Sequence, residues 1–97
     1  MVDLTLIESF EWDEGNARKN EKHAVTASEA EQVFFNQPLL MLEDAKHSQA
    51  EPRFHALGIT HTTRKLHITF AVRGTRIRVI SARDMHRKER KIYEQAS

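Results

Sequence analysis

The chain has 97 residues, 39% of them hydrophobic and 30% charged, which predicts a single domain over residues 1–97 built around one core. The absence of cysteine excludes disulfides, thiol catalysis and thiolate zinc sites, and the lack of a long apolar run or a basic N-terminal segment predicts a cytoplasmic protein. The net charge is +1, but the charges are unevenly distributed: residues 1–51 hold eleven acidic and four basic side chains, whereas residues 52–97 hold three acidic and eleven basic ones. The second half therefore has either a polyanionic partner or only a solvated basic surface.

Two helices are predicted near the start of the chain. Asp13 is a good N-cap for a first helix that runs to about His23. Thr26 and Glu29 fit the capping-box pattern S/T-x-x-E, which predicts that a second helix begins there. Pro38 prevents that helix from continuing.

The middle of the chain predicts successive strands. Alternating or short apolar runs indicate strands over residues 39–42, 53–61, 66–73 and 76–83, with a loop at 43–52. Gly74 and Thr75 form a two-residue connection typical of a type II′ hairpin. This turn pairs Arg73 with Arg76, and because like charges in that position are destabilising, an anion is expected beside them.

The last element is predicted to be a helix from about Met85 to Gln95, with a thin apolar stripe of Met85, Ile92 and Ala96. Most of its remaining surface is basic. A helix with so little apolar surface packs weakly by itself, so we expect it to be mobile or held partly by a partner.

Histidines do not predict a metal site. His55 and His61 would be about 20 Å apart on one strand, which is too far to share an ion. His61 and His67 flank a turn without an evident third ligand, and the simpler interpretation is that they are polar positions on a solvent-facing strand. His23 at the end of the first helix either interacts with the helix dipole or acts as a general base.

The sequence has no serine nucleophile elbow, glycine-rich phosphate loop or paired-carboxylate motif, so arginine, lysine and histidine are the remaining candidates for chemistry. That set suits cleavage of RNA by its own 2′-hydroxyl. In this reaction the substrate supplies the nucleophile, and the protein orients it, neutralises charge and moves protons.

Three segments resemble the BrnT toxins, a branch of the RelE-like ribonucleases of bacterial type II toxin–antitoxin systems. They are FEWDEGNARKNEKHAVTASEAEQVFFNQP at 10–38, HSQAEPRF at 47–54 and RIRVISARDMHRKERKIYE at 76–94. Two positions depart from the family pattern. Asn16 replaces a usual lysine, and Ala24 replaces the glycine after Lys-His, which predicts a different end to the first helix.

The resemblance implies an α/β (α+β) fold of the RelE-like kind, with an antiparallel sheet of about four strands, two N-terminal helices and one C-terminal helix packed mainly on one face. It also implies a metal-independent endoribonuclease that needs no cofactor and inhibits translation. We expect a BrnA-like ribbon-helix-helix antitoxin as partner, in a heterotetramer that binds operator DNA. The expected catalytic residues are His23, Arg53, Arg78 and Arg83, and the expected RNA-binding residues are Lys22, Arg73 and Arg76.

A second interpretation keeps the same fold without catalysis. The chain would then be a nucleic-acid-binding or co-repressor protein whose basic face serves only for docking. Growth arrest on expression, relieved by a small neighbouring gene product, would separate the enzyme from this alternative.

Overall fold

A computed structural model describes residues 6–12, 23–47 and 51–96. These residues form five strands and two α-helices, with short 3₁₀ turns at Val33–Phe35 and Ala45–His47. The elements in chain order are β1 (Ser9–Glu11), α1 (Ala27–Gln32), β2 (Leu40–Glu43), β3 (Arg53–Ile59), β4 (Lys65–Arg73), β5 (Arg76–Asp84) and α2 (Arg87–Ala96).

The five strands form one mixed sheet in the order β1-β5-β4-β3-β2. Strands β2 to β5 are antiparallel to their neighbours, whereas β1 runs parallel to β5. The predicted antiparallel sheet of about four strands is therefore wrong in strand number and direction. The sequence around β1 is too short to predict as a strand by periodicity; it is held by pairing with β5 and by Phe10, whose ring packs on Phe34 with centroids 5.5 Å apart.

The helices also differ from the prediction. Only one helix precedes the sheet's main strands in the described part of the chain, and the two described helices lie on opposite faces of the sheet. The predicted first helix, from Asp13 to His23, lies outside the described residues except for His23, which is in a turn. Ala24 follows with φ of 55°, so this alanine adopts the left-handed conformation that glycine usually occupies.

The predicted capping box is confirmed. The Thr26 hydroxyl accepts a hydrogen bond from the Glu29 amide at 3.1 Å, and the Glu29 carboxylate accepts one from the Thr26 amide at 3.1 Å. Helix α1 continues into the 3₁₀ turn and ends before Pro38. The α1 segment is thereby fixed above the sheet, with Ala30 and Val33 fully buried.

The core lies between α1 and one face of the sheet. Alternate residues of β3, β4 and β5 point into it, including Phe54, Ile68, Phe70, Ile77 and Val79. Phe34 packs edge-on against Phe70, with ring centroids 5.0 Å apart. The 3₁₀ turn approaches β3 closely at Gly58, because glycine has no side chain. A Cβ at this position would lie only 2.6 Å from the Val33 side chain.

The hairpin between β4 and β5 has the predicted register. Arg73 pairs with Arg76, Val72 with Ile77 and Phe70 with Val79, and Gly74 has φ of 57° as the first turn residue. Beyond Val79 the pairing shifts, because Thr69 pairs with Ser81 and Ile80 is left as an extra residue. This β-bulge reverses which side chains of β5 face the core.

Tyr93 is the buried residue of helix α2. Its side chain is 3% exposed, and its hydroxyl donates a hydrogen bond to the Pro38 carbonyl at 2.6 Å. The predicted stripe is therefore only partly correct, since Met85 is buried but Ile92 is 56% exposed. Neither helix of the described residues has the length and apolarity needed to cross a bilayer.

Candidate active site

Five arginines lie on the face of the sheet opposite α1, and we call this surface the arginine face: Arg53, Arg73, Arg76, Arg78 and Arg83. Strand pairing aligns Arg53, Ala71 and Arg78 in one row across β3, β4 and β5. Ala71 is fully buried and its methyl group is short. Two guanidinium groups can therefore converge over it from strands about 10 Å apart.

The β-bulge is necessary for this arrangement. Arg78 and Arg83 are five positions apart, and in a regular strand an odd separation places side chains on opposite faces. The extra residue Ile80 restores the alternation, so Arg78 lies beside Ala71 and Arg83 lies beside His67 on the same face. Both motif arginines of β5 consequently belong to one surface.

Acidic side chains from the first half of the chain neutralise part of the arginine face. Glu51 accepts hydrogen bonds from Arg73 at 2.7 Å and from Arg78 at 3.2 Å. Glu11 accepts one from Arg76 at 3.1 Å. Hydrogen bonds and charge from Arg73, followed by those from Arg78, hold the pKa of Glu51 below its usual range against the opposing effect of burial. The anion expected beside Arg73 and Arg76 is thus supplied by the protein itself.

A cluster of Asp44, His47, His55 and Thr69 lies at the Arg53 end of the row. One oxygen of Asp44 is 2.9 Å from His47 Nδ1 and 3.0 Å from His55 Nε2. His55 Nδ1 lies 3.1 Å from the Thr69 hydroxyl. Burial acts to raise the pKa of Asp44, but the two histidines lower it overall. Asp44 therefore stays ionised and orients both rings.

A third cluster ties β5 to α2. Arg83 donates two hydrogen bonds to Glu89, at 2.8 and 3.0 Å, and Glu89 also accepts one from the His86 amide at 2.8 Å. Burial opposes ionisation, yet these bonds lower the pKa of Glu89 to about 2. Glu89 is therefore an anion that caps the start of α2 and holds Arg83 in place.

His67 lies beneath this ion pair. Its ring is tilted by 34° against that of His55 with centroids 5.1 Å apart, and its Nδ1 is buried without a hydrogen-bond partner among the described residues. Burial, together with the nearby charge of Arg83, lowers the pKa of His67 to about 4. His67 is consequently a neutral spacer between the two clusters at neutral pH.

Two concave regions border these groups. One, of about 360 Å³, is lined by Glu11, Trp12, Arg73 and Arg78. The other, of about 480 Å³, lies between α2 and the β2–β3 edge and is mainly apolar, lined by Leu40, Met41, Leu42, His55, Leu57, His67, Glu89 and Ile92. The polar region is the one beside the arginine row.

Most of the predicted site residues come together. Arg53, Arg73, Arg76, Arg78 and Arg83 share the arginine face. His23 lies elsewhere: its carbonyl is 3.5 Å from Arg64, which pairs with Asp84 at the far end of β5. Lys22 lies outside the described residues, and its predicted role stays a prediction.

Sequence reasoning missed Asp44, His47, His55 and Glu51 as parts of the site. The alternation of β3 places Arg53 and His55 on one face, and this pattern is visible in the sequence. The approach of Asp44 and Glu51 depends on the path of the 43–52 connection, which has no periodicity to predict it. Among the described residues, no group of three or more potential metal ligands is close enough to hold an ion.

The fold and this surface define a class: a small α/β protein with an arginine-rich sheet face bordered by histidine–carboxylate clusters. The family model for BrnT, the ribonuclease toxin of a type II toxin–antitoxin system, matches residues 12–89. The chain therefore belongs to the BrnT family of ribonuclease toxins, and its type II system implies an antitoxin partner. No curated protein matches the chain.

Proposed function

We propose that this toxin is a RelE-like, metal-independent endoribonuclease in which the arginine face binds the RNA phosphate to be cleaved. The observation that carries the proposal is the row of Arg53, Ala71 and Arg78, in which two arginines flank a buried alanine on neighbouring strands. Guanidinium groups match the planar geometry of phosphate oxygens and neutralise the charge that develops during phosphoryl transfer.

The reaction uses the 2′-hydroxyl of the RNA as nucleophile. The 2′-oxygen loses its proton and attacks the adjacent phosphorus, and the bond from phosphorus to the 5′-oxygen breaks. The products are a 2′,3′-cyclic phosphate and a 5′-hydroxyl. Arg53 and Arg78 stabilise the phosphorane-like charge, while Arg73 and Arg76 hold the flanking backbone. Arg83 contributes by positioning α2 and the far end of the face through Glu89.

In the cell, the proposed activity inhibits translation in the cytoplasm. The proposed inhibitor is a BrnA-like ribbon-helix-helix antitoxin that dimerises, covers two toxin copies in a heterotetramer and binds operator DNA. A small inhibitor acts most directly by occupying the surface that RNA needs. We therefore expect acidic antitoxin side chains to replace Glu51 and Glu11 on the arginine face.

The test is cleavage of a defined RNA by purified toxin, with and without EDTA. We expect similar rates in both, and products that end in a cyclic phosphate or 3′-phosphate. Cleavage that requires a metal and leaves a 3′-hydroxyl would contradict the mechanism. Full binding of RNA without cleavage, with harmless expression in cells, would instead favour a docking protein.

A further inference from the structure

The arginines leave the proposed reaction without a group that accepts a proton. Guanidinium groups stay protonated at physiological pH, so they bind and stabilise charge but do not deprotonate a 2′-hydroxyl. His23, the expected proton carrier, lies beside Arg64 at the far end of β5. The base has to be sought at the Arg53 end of the arginine face.

The cluster around Asp44 is located there. The Asp44 amide donates a hydrogen bond to the Arg53 carbonyl at 2.8 Å, so the carboxylate is anchored to the strand that carries one arginine of the row. Arg53 and His55 are two residues apart on β3 and share its outer face. Glu51 also contacts the row, but its carboxylate is already engaged by two guanidinium groups, those of Arg73 and Arg78. The histidines held by Asp44 are therefore the candidates for the base at the Arg53 end.

The two histidines use their ring nitrogens differently. His55 contacts Asp44 through Nε2 and Thr69 through Nδ1, so both nitrogens are engaged within the protein. His47 contacts Asp44 through Nδ1, and no described residue hydrogen-bonds its Nε2. The side chain of His47 is 56% exposed whereas that of Asp44 is 13% exposed. A shielded carboxylate thus orients an exposed ring whose Nε2 has no partner among the described residues.

We propose that His47 is the general base that removes the 2′-hydroxyl proton, and that Asp44 is its positioning residue. This inference rests on the proposed function. Nε2 of His47 takes the proton as the 2′-oxygen bonds to phosphorus, and water protonates the departing 5′-oxygen. Asp44 fixes the tautomer with Nδ1–H and stabilises the imidazolium that forms. His55 holds the second side of the carboxylate and does not touch substrate.

The test compares His47→Ala with His61→Ala, which removes another exposed histidine whose ring contacts Asn36 beyond the end of β3 opposite Arg53. Cleavage is measured in single turnovers at saturating RNA, and affinity is measured separately with a non-cleavable RNA that carries a 2′-methoxy group. We expect the His47→Ala rate to fall on the order of 10²-fold or more with little change in affinity. His61→Ala should match the wild type.

Three further measurements identify the role. Added imidazole should restore part of the cleavage rate of His47→Ala. It should not restore the rate of Asp44→Asn, because that variant keeps the His47 ring but holds it in the wrong orientation. Asp44→Glu should recover part of the Asp44→Asn loss in rate. An RNA with sulfur in place of the 5′-oxygen has a leaving group that needs no proton, and it should not rescue His47→Ala; rescue would make His47 the acid and overturn the assignment.

The outcomes separate this inference from the proposed function. If the wild type gives neither a cyclic phosphate nor a 3′-phosphate, the proposed reaction itself is wrong. If the wild type gives one of these products and His47→Ala cleaves at the same rate, only the assignment of His47 is wrong. Urea denaturation of each variant checks that a lower rate does not come from unfolding.

Discussion

At the scale of single residues, the arginine face contains positions of different exposure. Arg78 is 31% exposed and lies in the row with Arg53, whereas Arg76 is 60% exposed and lies at the hairpin end. A more buried guanidinium acts in a lower effective dielectric, where the charge of a transition state is stabilised more strongly. The two positions should therefore affect different steps.

Arg76→Ala should weaken RNA binding and reduce the salt slope by roughly 0.7 per single-strand contact, with little change in the rate at saturating RNA. Arg78→Ala and Arg78→Lys should instead lower the saturated rate on the order of 10²-fold with a small change in affinity, because lysine lacks the planar fork. Single-turnover kinetics and a salt titration measure both effects. Near wild-type turnover in both Arg78 variants would remove Arg78 from the catalytic set.

His67 makes the fold sensitive to acid. Burial lowers the pKa of His67 to about 4 from the ordinary 6.5. As the pH falls, this histidine is therefore protonated at higher pH in the unfolded chain than in the folded protein. The associated stability is present above pH 6.5 and is lost as the pH falls toward 4, by about 2 kcal/mol at pH 5. His67→Leu should therefore flatten the dependence of the free energy of unfolding on pH between 7 and 5.

Urea denaturation at several pH values measures this effect, with His86→Gln as the exposed control. The comparison stays above pH 5 because Glu89 also destabilises the fold at lower pH. Its pKa is about 2 in the folded protein, so its contribution to stability is lost as the pH falls below 4.5, the ordinary pKa of glutamate. A His67→Leu variant that loses as much stability as the wild type between pH 7 and 5 would show that another group causes the acid sensitivity.

At the scale of elements, the predictable features were those with a local chemical cause. The capping box at Thr26, the glycine turn at Gly74 and the alternation of β3 and of the hairpin as far as Val79 follow from neighbouring residues, and the structure confirms them. The bulge at Ile80 and the parallel strand β1 could not be predicted, because each depends on pairing with a distant segment. The bulge determines which arginines share a face, and β1 brings Glu11 to Arg76.

Tyr93 illustrates an element whose anchor differs from its predicted apolar stripe. A single buried side chain and its hydrogen bond to Pro38 hold much of α2, whereas the neighbouring Ile92 is largely exposed. Tyr93→Phe should lower the free energy of unfolding by about 1 kcal/mol, since it leaves the carbonyl without its donor. Ile92→Ala should change it by less than about 0.5 kcal/mol. Chemical denaturation followed by circular dichroism measures both, and equal losses would contradict this anchoring.

At the scale of the whole molecule, the two oppositely charged halves of the chain are interleaved. Glu11, Glu29 and Glu51 come from the acidic half and pair with Arg76, Arg64 and Arg73 of the basic half. The sequence shows the imbalance of charge but not which acids reach which arginines. On the proposed function, RNA has to compete for these arginines with carboxylates that are already in place.

Glu51→Gln should tighten RNA binding several-fold and steepen its salt dependence, because Arg73 and Arg78 lose a competing anion. Fluorescence anisotropy with a non-cleavable RNA at several salt concentrations measures this change. Glu94→Gln is the matched control, since Glu94 pairs with Lys65 away from the row. Weaker binding by a folded Glu51→Gln variant would mean that Glu51 orients the arginines for RNA rather than competing with it.

The order of strands also governs when this toxin is complete during its own synthesis. Glu11 of β1 pairs with Arg78 of β5, so β1 cannot join the sheet until residues almost seventy positions later have been synthesised. Pairings between distant segments form late because the intervening chain has to close first. A nascent chain that has emerged only through β4 has neither Arg78 nor the partner for β1. The ribosome that makes this ribonuclease is thus not exposed to an assembled arginine face until β5 has left it.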